Sequence, residues 1–255
     1  MAELDGRPVT PEQLQALALT NYGHFTTLRV EDGRVRGLAL HLDRLERDCR
    51  TLFGTPLDLD RVRSYARRAA PAAGAAVIRL TVFDPALDVG TIGSEPAPRV
   101  LVTTRPAGGL DLGPLRVRSV RYQRDLPEVK GVGLFGALHH RRAARLAGWD
   151  DVLFTDAAGR FTEGGTWNVG FVRGTEVVWP QGAYLAGTAM RLLRAELPGT
   201  EEPVTSPEGF DAAFATNAAV GVRPLGAIDG TALAAEHPVV ERLRATYRQV
   251  PGEPL

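Results

Sequence analysis

The chain is 255 residues long and contains one lysine, Lys130; every other cationic side chain is arginine. It contains one cysteine, Cys49, so an intramolecular disulfide is excluded. Thirty basic residues balance thirty acidic ones, and this zero formal charge argues against a general nucleic-acid or anionic-membrane binder. There is no apolar run long enough for a membrane-spanning helix. The acidic start, Met1-Ala2-Glu3-Leu4-Asp5, has no apolar signal-peptide core. These absences describe a soluble, cytoplasmic protein with a core of its own.

The lone lysine has two readings. GC-rich coding, visible in abundant Ala, Arg, Gly and Pro, replaces Lys by Arg without any chemical reason. Alternatively the chain needs one amine that can lose its proton and condense with an aldehyde. The guanidinium, always charged, cannot do this.

Periodicity and turn residues divide the chain into mixed helices and strands. Phe25–Val30 and Arg34–Leu38 flank the turn dipeptide Asp32-Gly33 and predict a hairpin. Helices are expected over His41–Phe53, ended by Gly54, and over Asp58–Ala70. Cys49 falls in the apolar stripe of the first, with Leu42, Leu45, Leu52 and Phe53, and reads as a core residue. Strands are expected at Ala76–Phe83, Arg99–Thr104, Leu115–Arg121, Val152–Thr155, Thr166–Arg173 and Glu176–Val178. Phe214–Thr216 and Val222–Leu225 flank a further turn, and helices are expected over Phe135–Ala147, Ala189–Leu197 and Val239–Arg248. Pro106-Ala107-Gly108-Gly109 is a linker candidate, giving a smaller domain over residues 1–108 and a larger one over 109–255 that carries Lys130. Strict βαβ alternation is missing, so the fold class is α+β.

Four blocks together resemble the class IV aminotransferases, the fold-type IV pyridoxal-phosphate enzymes. They are Phe25–Val30 with His41-Leu42-Asp43-Arg44-Leu45; Val129-Lys130 with Gly148 and Asp150-Asp151; Glu163-Gly164 with Asn168; and Gly187 followed by Thr216-Asn217-Ala218 and Val222-x-Pro224. The resemblance spans about Tyr22 to Asp229 and implies a two-domain enzyme that binds pyridoxal 5′-phosphate. It implies that Lys130 holds the cofactor and later acts as the base. It places Glu163 at the pyridine nitrogen and Arg44 at the phosphate. Backbone N–H groups after Gly187 would complete the phosphate cup. Asn168, Thr188, Thr216 and Asn217 are further cofactor candidates.

Each residue also has a plain structural reading. Arg44, beside Asp43, Glu46, Arg47 and Asp48, reads alone as part of a solvated helix face. Glu163 reads as a turn carboxylate, and His41 as a capping or packing residue. His139 and His140, in an arginine-rich helix, read as surface residues with no accompanying metal-ligand pattern. Arg29, Arg79, Arg105 and Arg121 are candidates for a substrate carboxylate, with Arg29 and Arg79 preferred. For Arg79, in the apolar run Val77-Ile78-Arg79-Leu80, an acidic partner is the alternative. Trp167 is expected to narrow the substrate pocket.

The chain departs from the family pattern at Gly133, Gly165, Trp167, Ala189 and Ala218, where hydroxyl or amide side chains are usual. The leading reading is a transaminase for a small amino acid and a 2-oxo acid, working as a homodimer. An aminodeoxychorismate lyase releasing pyruvate and 4-aminobenzoate is the alternative, supported by Thr216-Asn217-Ala218 and by Phe25–Val30. A divergent member that no longer holds the cofactor is the third.

Overall fold

Asp32 and Gly33 both have positive φ, 49° and 72°, the backbone that a two-residue hairpin turn of the primed type requires. Val30 pairs with Val35 and Glu31 with Arg34 on either side. The computed structural model describes residues 2–255; Met1, the first residue of the acidic N-terminus, lies outside the described residues. In chain order the elements begin with strands β1 (Ala2–Leu4) and β2 (Arg7–Pro8) and helix α1 (Pro11–Leu19). The hairpin β3 (His24–Glu31) and β4 (Arg34–Arg36) leads into helices α2 (Leu38–Phe53) and α3 (Leu59–Ala69), then β5 (Ala75–Phe83) and β6 (Arg99–Pro106). Next come β7 (Leu115–Arg121), α4 (Phe135–Leu146), β8 (Asp151–Thr155), β9 (Phe161–Gly164), β10 (Asn168–Arg173), β11 (Glu176–Pro180) and α5 (Thr188–Glu196). The chain closes with β12 (Thr200–Glu202), β13 (Ala212–Asn217), β14 (Gly221–Ile228), β15 (Thr231–Ala232), α6 (Pro238–Gln249) and β16 (Gly252–Pro254).

The chain forms two compact units. The first comprises Met1–Ala107, Val129–Gly133 and Gly252–Leu255. The segment of Lys130 therefore counts with this unit, and not with the 109–255 portion expected from the sequence. Backbone bonding explains the difference: Phe25 N–H donates to Lys130 O at 2.9 Å, Val132 N–H donates to Gly23 O at 2.9 Å, and His24 and Gly131 form a β-bridge.

The sheet of this unit runs β16-β4-β3-β5-β6-β1-β2, antiparallel throughout. Side chains alternate across it. Leu28, Val30, Ile78, Leu80, Val82, Val100 and Val102 face a core made with α2 and α3. The burying stripe of α2 is Leu38, His41, Leu42, Leu45, Cys49 and Phe53, at helical spacing, and the helix stops at Gly54 with φ 66°. Cys49 is buried in that core. The other sheet face carries Phe25, Thr27, Arg29, Arg79 and Thr81. Its Phe83 and Leu101, together with Leu4, pack against Leu14 and Leu17 of α1.

The second unit comprises Gly108–Glu128 and Leu134–Pro251. Its sheet runs β12-β11-β10-β13-β14-β7-β8-β9, and β9 also pairs with β10. Strands β10, β13, β14, β7, β8 and β9 thus close on themselves, and the closing pair is Glu163–Asn168. Leu153, Phe161, Trp167, Val169, Phe171 and Leu225 belong to one of its apolar cores. Met190 and Leu193 of α5 and Val240, Leu243 and Tyr247 of α6 make a second with Phe214. Ala137 and Ala144 of α4 pack with Val152 and Phe154. The mixed strand order and helix-covered sheets are the α+β class expected.

Candidate functional site

In the first unit, α2 brings Arg44 against β3. The side chain is only 5% exposed. Its Nη2 donates to Thr26 Oγ1 at 2.5 Å and lies 3.4 Å from His41 Nδ1. Thr26 Oγ1 is 2.7 Å from the same Nδ1. Burial first, then the charges of Arg44 and Lys130, hold the His41 pKa well below its ordinary value, so this ring is neutral. Thr26 Oγ1 thus bonds both the Arg44 guanidinium and His41 Nδ1. His24 is also buried, and burial with the Arg44 charge lowers its pKa to about 3. The solvated-face reading of Arg44 does not hold: two neutral imidazoles and one hydroxyl surround a desolvated guanidinium.

Lys130 is held by its backbone from two sides. Its carbonyl accepts Phe25 N–H, and its N–H donates to Asp48 Oδ2 at 2.9 Å. Its Nζ lies 4.8 Å from the centroid of the Phe25 ring, and Arg79 Cζ lies 3.5 Å from the same centroid. Arg79 Nε donates to Thr81 Oγ1 at 3.3 Å, and burial lowers the guanidinium pKa. Among the described residues no carboxylate pairs with Arg79, so the acidic partner expected as its alternative does not occur. Arg29, by contrast, is engaged by Glu31 at 2.7 Å, as is Arg36 at 2.5 Å. Burial pushes the Glu31 pKa up, but the two arginines outweigh it and the pKa is lowered. Arg105 and Arg121 are exposed near strand ends.

In the second unit, register aligns the remaining candidates. Glu163 of β9 pairs with Asn168 of β10, and Asn168 pairs with Thr216 of β13. Asn168 Nδ2 donates to Leu185 O at 2.7 Å and its Oδ1 accepts Gly187 N–H at 3.1 Å. This clamps the turn that opens α5. A Cβ on Gly187 would lie 2.3 Å from Asn168 Oδ1, so a side chain there would displace the clamping amide. Helix α5 begins at Thr188, itself buried, with no side-chain cap at Gly187. Thr216 Oγ1 is buried with no hydrogen-bond partner. An uncapped helix N-terminus and an orphaned buried hydroxyl, drawn together by one register, fit a phosphate-bearing group.

Glu163 Oε1 accepts from Arg124 Nε at 3.0 Å and Nη2 at 2.8 Å, and its Oε2 accepts Leu185 N–H at 3.4 Å. Arg124 was not legible in the sequence, where it stands in Arg121-Tyr122-Gln123-Arg124 without a motif. Asn217 Oδ1 accepts the N–H groups of Ala219 and Val220, each at 3.0 Å, so this side chain shapes the β13–β14 turn. Trp167 is buried. It packs in the unit's core, its ring lies against Gly164, and its indole N–H donates to Asp151 Oδ2 at 3.2 Å. An apolar ring with one acceptor in reach of its N–H is held within this unit's core. His139 is exposed and stacks on Phe135, while His140 packs on Tyr122 and Phe154.

A sequence model of the class IV aminotransferases matches residues 23–228. Among solved structures, 4-amino-4-deoxychorismate lyase from Pseudomonas aeruginosa superposes with a TM-score of 0.81 at 26% identity, over 97% of this chain and 98% of that one. Branched-chain aminotransferase from Thermoproteus uzoniensis, solved with norvaline, superposes with a TM-score of 0.85 at 21% identity, over 97% and 93%. A hypothetical aminotransferase from Mycobacterium tuberculosis in a PLP-bound form gives 0.81 at 19% identity, over 98% of each chain. The last two likenesses speak for the fold. No curated protein sequence matches the chain. The chain belongs to the class IV aminotransferases, as its four sequence blocks imply.

Proposed function

We propose that the protein is a pyridoxal-phosphate-dependent transaminase for a small amino acid and a 2-oxo acid, working with a second copy of itself. The observation that carries this reading is the fixed backbone of Lys130, with its amine and the Arg79 guanidinium against one ring, Phe25. When bound, pyridoxal phosphate supplies an electron sink for charge developing at the substrate Cα. Lys130 would hold the group, and its amine would move the proton at that carbon. Glu163, its charge balanced by Arg124, keeps a proton on the pyridine nitrogen. In the second unit, Thr188, Thr216 and the first N–H groups of α5 would hold the phosphate, while Asn168 sets the position of that helix end and Asn217 the adjoining turn; for Arg44, in the first unit, a phosphate role is what the family resemblance implies. Arg79, desolvated and without a carboxylate partner, takes a substrate carboxylate.

A lyase that releases pyruvate from aminodeoxychorismate is the second reading. The 26% identity to the Pseudomonas lyase and the Thr216-Asn217-Ala218 run favour it. The test begins with the visible spectrum of the protein with added pyridoxal phosphate, before and after borohydride. A borohydride-sensitive band that is absent in Lys130→Ala supports the cofactor reading. Absence of the band in the natural protein refutes it and leaves the divergent, cofactor-free member. Ping-pong kinetics with an amino donor and a 2-oxo acceptor then select the transaminase, and pyruvate from aminodeoxychorismate alone selects the lyase.

A further inference from the structure

We infer that Asp48 is the positioning residue for Lys130, and that α2 thereby fixes both the arginine and the lysine of the site. The inference rests on the reading above, in which Lys130 carries the cofactor. Asp48 reads in the sequence as one more charge on a solvated helix face, yet it is fully buried. Its Oδ1 accepts Nε and Nη2 of Arg47 at 3.1 and 2.7 Å, so the buried carboxylate is not left as an isolated charge. Its Oδ2 accepts the backbone N–H of Lys130 at 2.9 Å.

The segment around Lys130 makes one antiparallel bridge to the start of β3. Two backbone hydrogen bonds, Phe25 N–H to Lys130 O and Val132 N–H to Gly23 O, together make the antiparallel Gly131–His24 bridge. The Lys130 N–H points away from this bridge, and Asp48 is what receives it. Arg44 lies four residues earlier, one helical turn from Asp48, and grips Thr26 of β3. One rigid helix thus sets the arginine by its own side chain and the lysine through its main chain. A shift in the lysine backbone would swing the amine at the end of a four-carbon stem, so a small loss of hold becomes a large misplacement of the reacting nitrogen.

The test uses the full-length protein and three variants. Asp48→Ala removes the acceptor, Asp48→Asn keeps an oxygen that can accept, and Asp48→Ser withdraws the acceptor by about one bond length while remaining polar. Two readouts are taken: backbone amide exchange of residues 129–133 without cofactor, and the rate of borohydride-trapped adduct formation at Lys130. Expected are a rise in 129–133 exchange and a fall in adduct rate, each about tenfold, for Asp48→Ala and Asp48→Ser, with Asp48→Asn near the natural protein. If Asp48→Ala does not fold, Asp48→Ser decides.

The inference is overturned if 129–133 exchange is unchanged, or rises no more than exchange along α2. It is also overturned if Asp48→Asn is as impaired as Asp48→Ala, since charge and not the acceptor would then be what matters. A natural protein that forms no adduct sinks the cofactor reading instead, and the exchange arm then decides the role of Asp48 alone.

Discussion

Asn168 offers the sharpest test of how the second unit prepares its site. Its side chain is 5% exposed and satisfies two backbone groups of the turn before α5, Leu185 O at 2.7 Å and Gly187 N–H at 3.1 Å. Asn168→Ala leaves both groups without that partner. A buried polar group left unsatisfied costs about 1–3 kcal/mol, so the pair amounts to roughly 2–6 kcal/mol. Because tenfold corresponds to about 1.4 kcal/mol, the Gly187 amide should exchange roughly a hundredfold faster in the variant. The affinity for inorganic phosphate and for pyridoxal phosphate should fall in parallel, as the N-terminus of α5 is no longer held. Asn168→Asp separates the two bonds: it still accepts from Gly187 but turns an oxygen toward the Leu185 carbonyl, and should be no better than alanine. Exchange at Gly187 within twofold of the natural protein, with unchanged phosphate affinity, would refute the clamp.

Two further outcomes follow from the charges in each unit. The folded pKa of His24, about 3, lies below the ordinary value of 6.5, so the unfolded chain binds the extra proton between these values. The stability this represents is fully present above about pH 6.5 and is lost as pH falls toward 3, on the order of 4 kcal/mol over the window. His24→Leu, which also removes two unbonded buried nitrogens, should flatten that acid limb in urea titrations while His41 keeps part of it. An unaltered slope would show that His24 does not titrate on unfolding. Arg124→Ala leaves the mostly buried Glu163 carboxylate without the guanidinium that donates twice to its Oε1 and should cost about 2–4 kcal/mol by urea unfolding. Arg124→Ala with Glu163→Gln should recover part of that loss; a strictly additive double variant would argue against the pair.

Elements with strong local signals were legible. Leu115–Arg121 has the bounds read from its alternating pattern, and α2 follows its apolar stripe to Gly54. Elements lacking such a signal were missed. Helix α1 has a capping box, Thr10 with Gln13, but no fully buried residue and hence no clear stripe. Strand β9 ends in Glu163-Gly164, a pair that reads locally as a turn, and becomes a strand only because β8 and β10 lie beside it. The same limit governs the site. Arg44 and Asp48 sit in a run of charges that looks solvated, and their partners, Thr26 and Lys130, are far along the chain. The family resemblance named Arg44 without its neighbours and did not name Asp48 or Arg124. The burial of Trp167 is not legible for the converse reason: the partner of its indole N–H, Asp151, lies outside its own motif.

The strand ring of the second unit is completed at a single pair, Glu163 with Asn168. Both are polar, and both are candidates for the chemistry. Random mutagenesis scored by soluble expression and the same library scored by turnover should therefore agree at these two positions and diverge at Lys130, whose side chain closes no ring. A lineage drifting away from transamination would lose its lysine long before it could let go of this pair, and would keep the outline of an enzyme after the activity had gone.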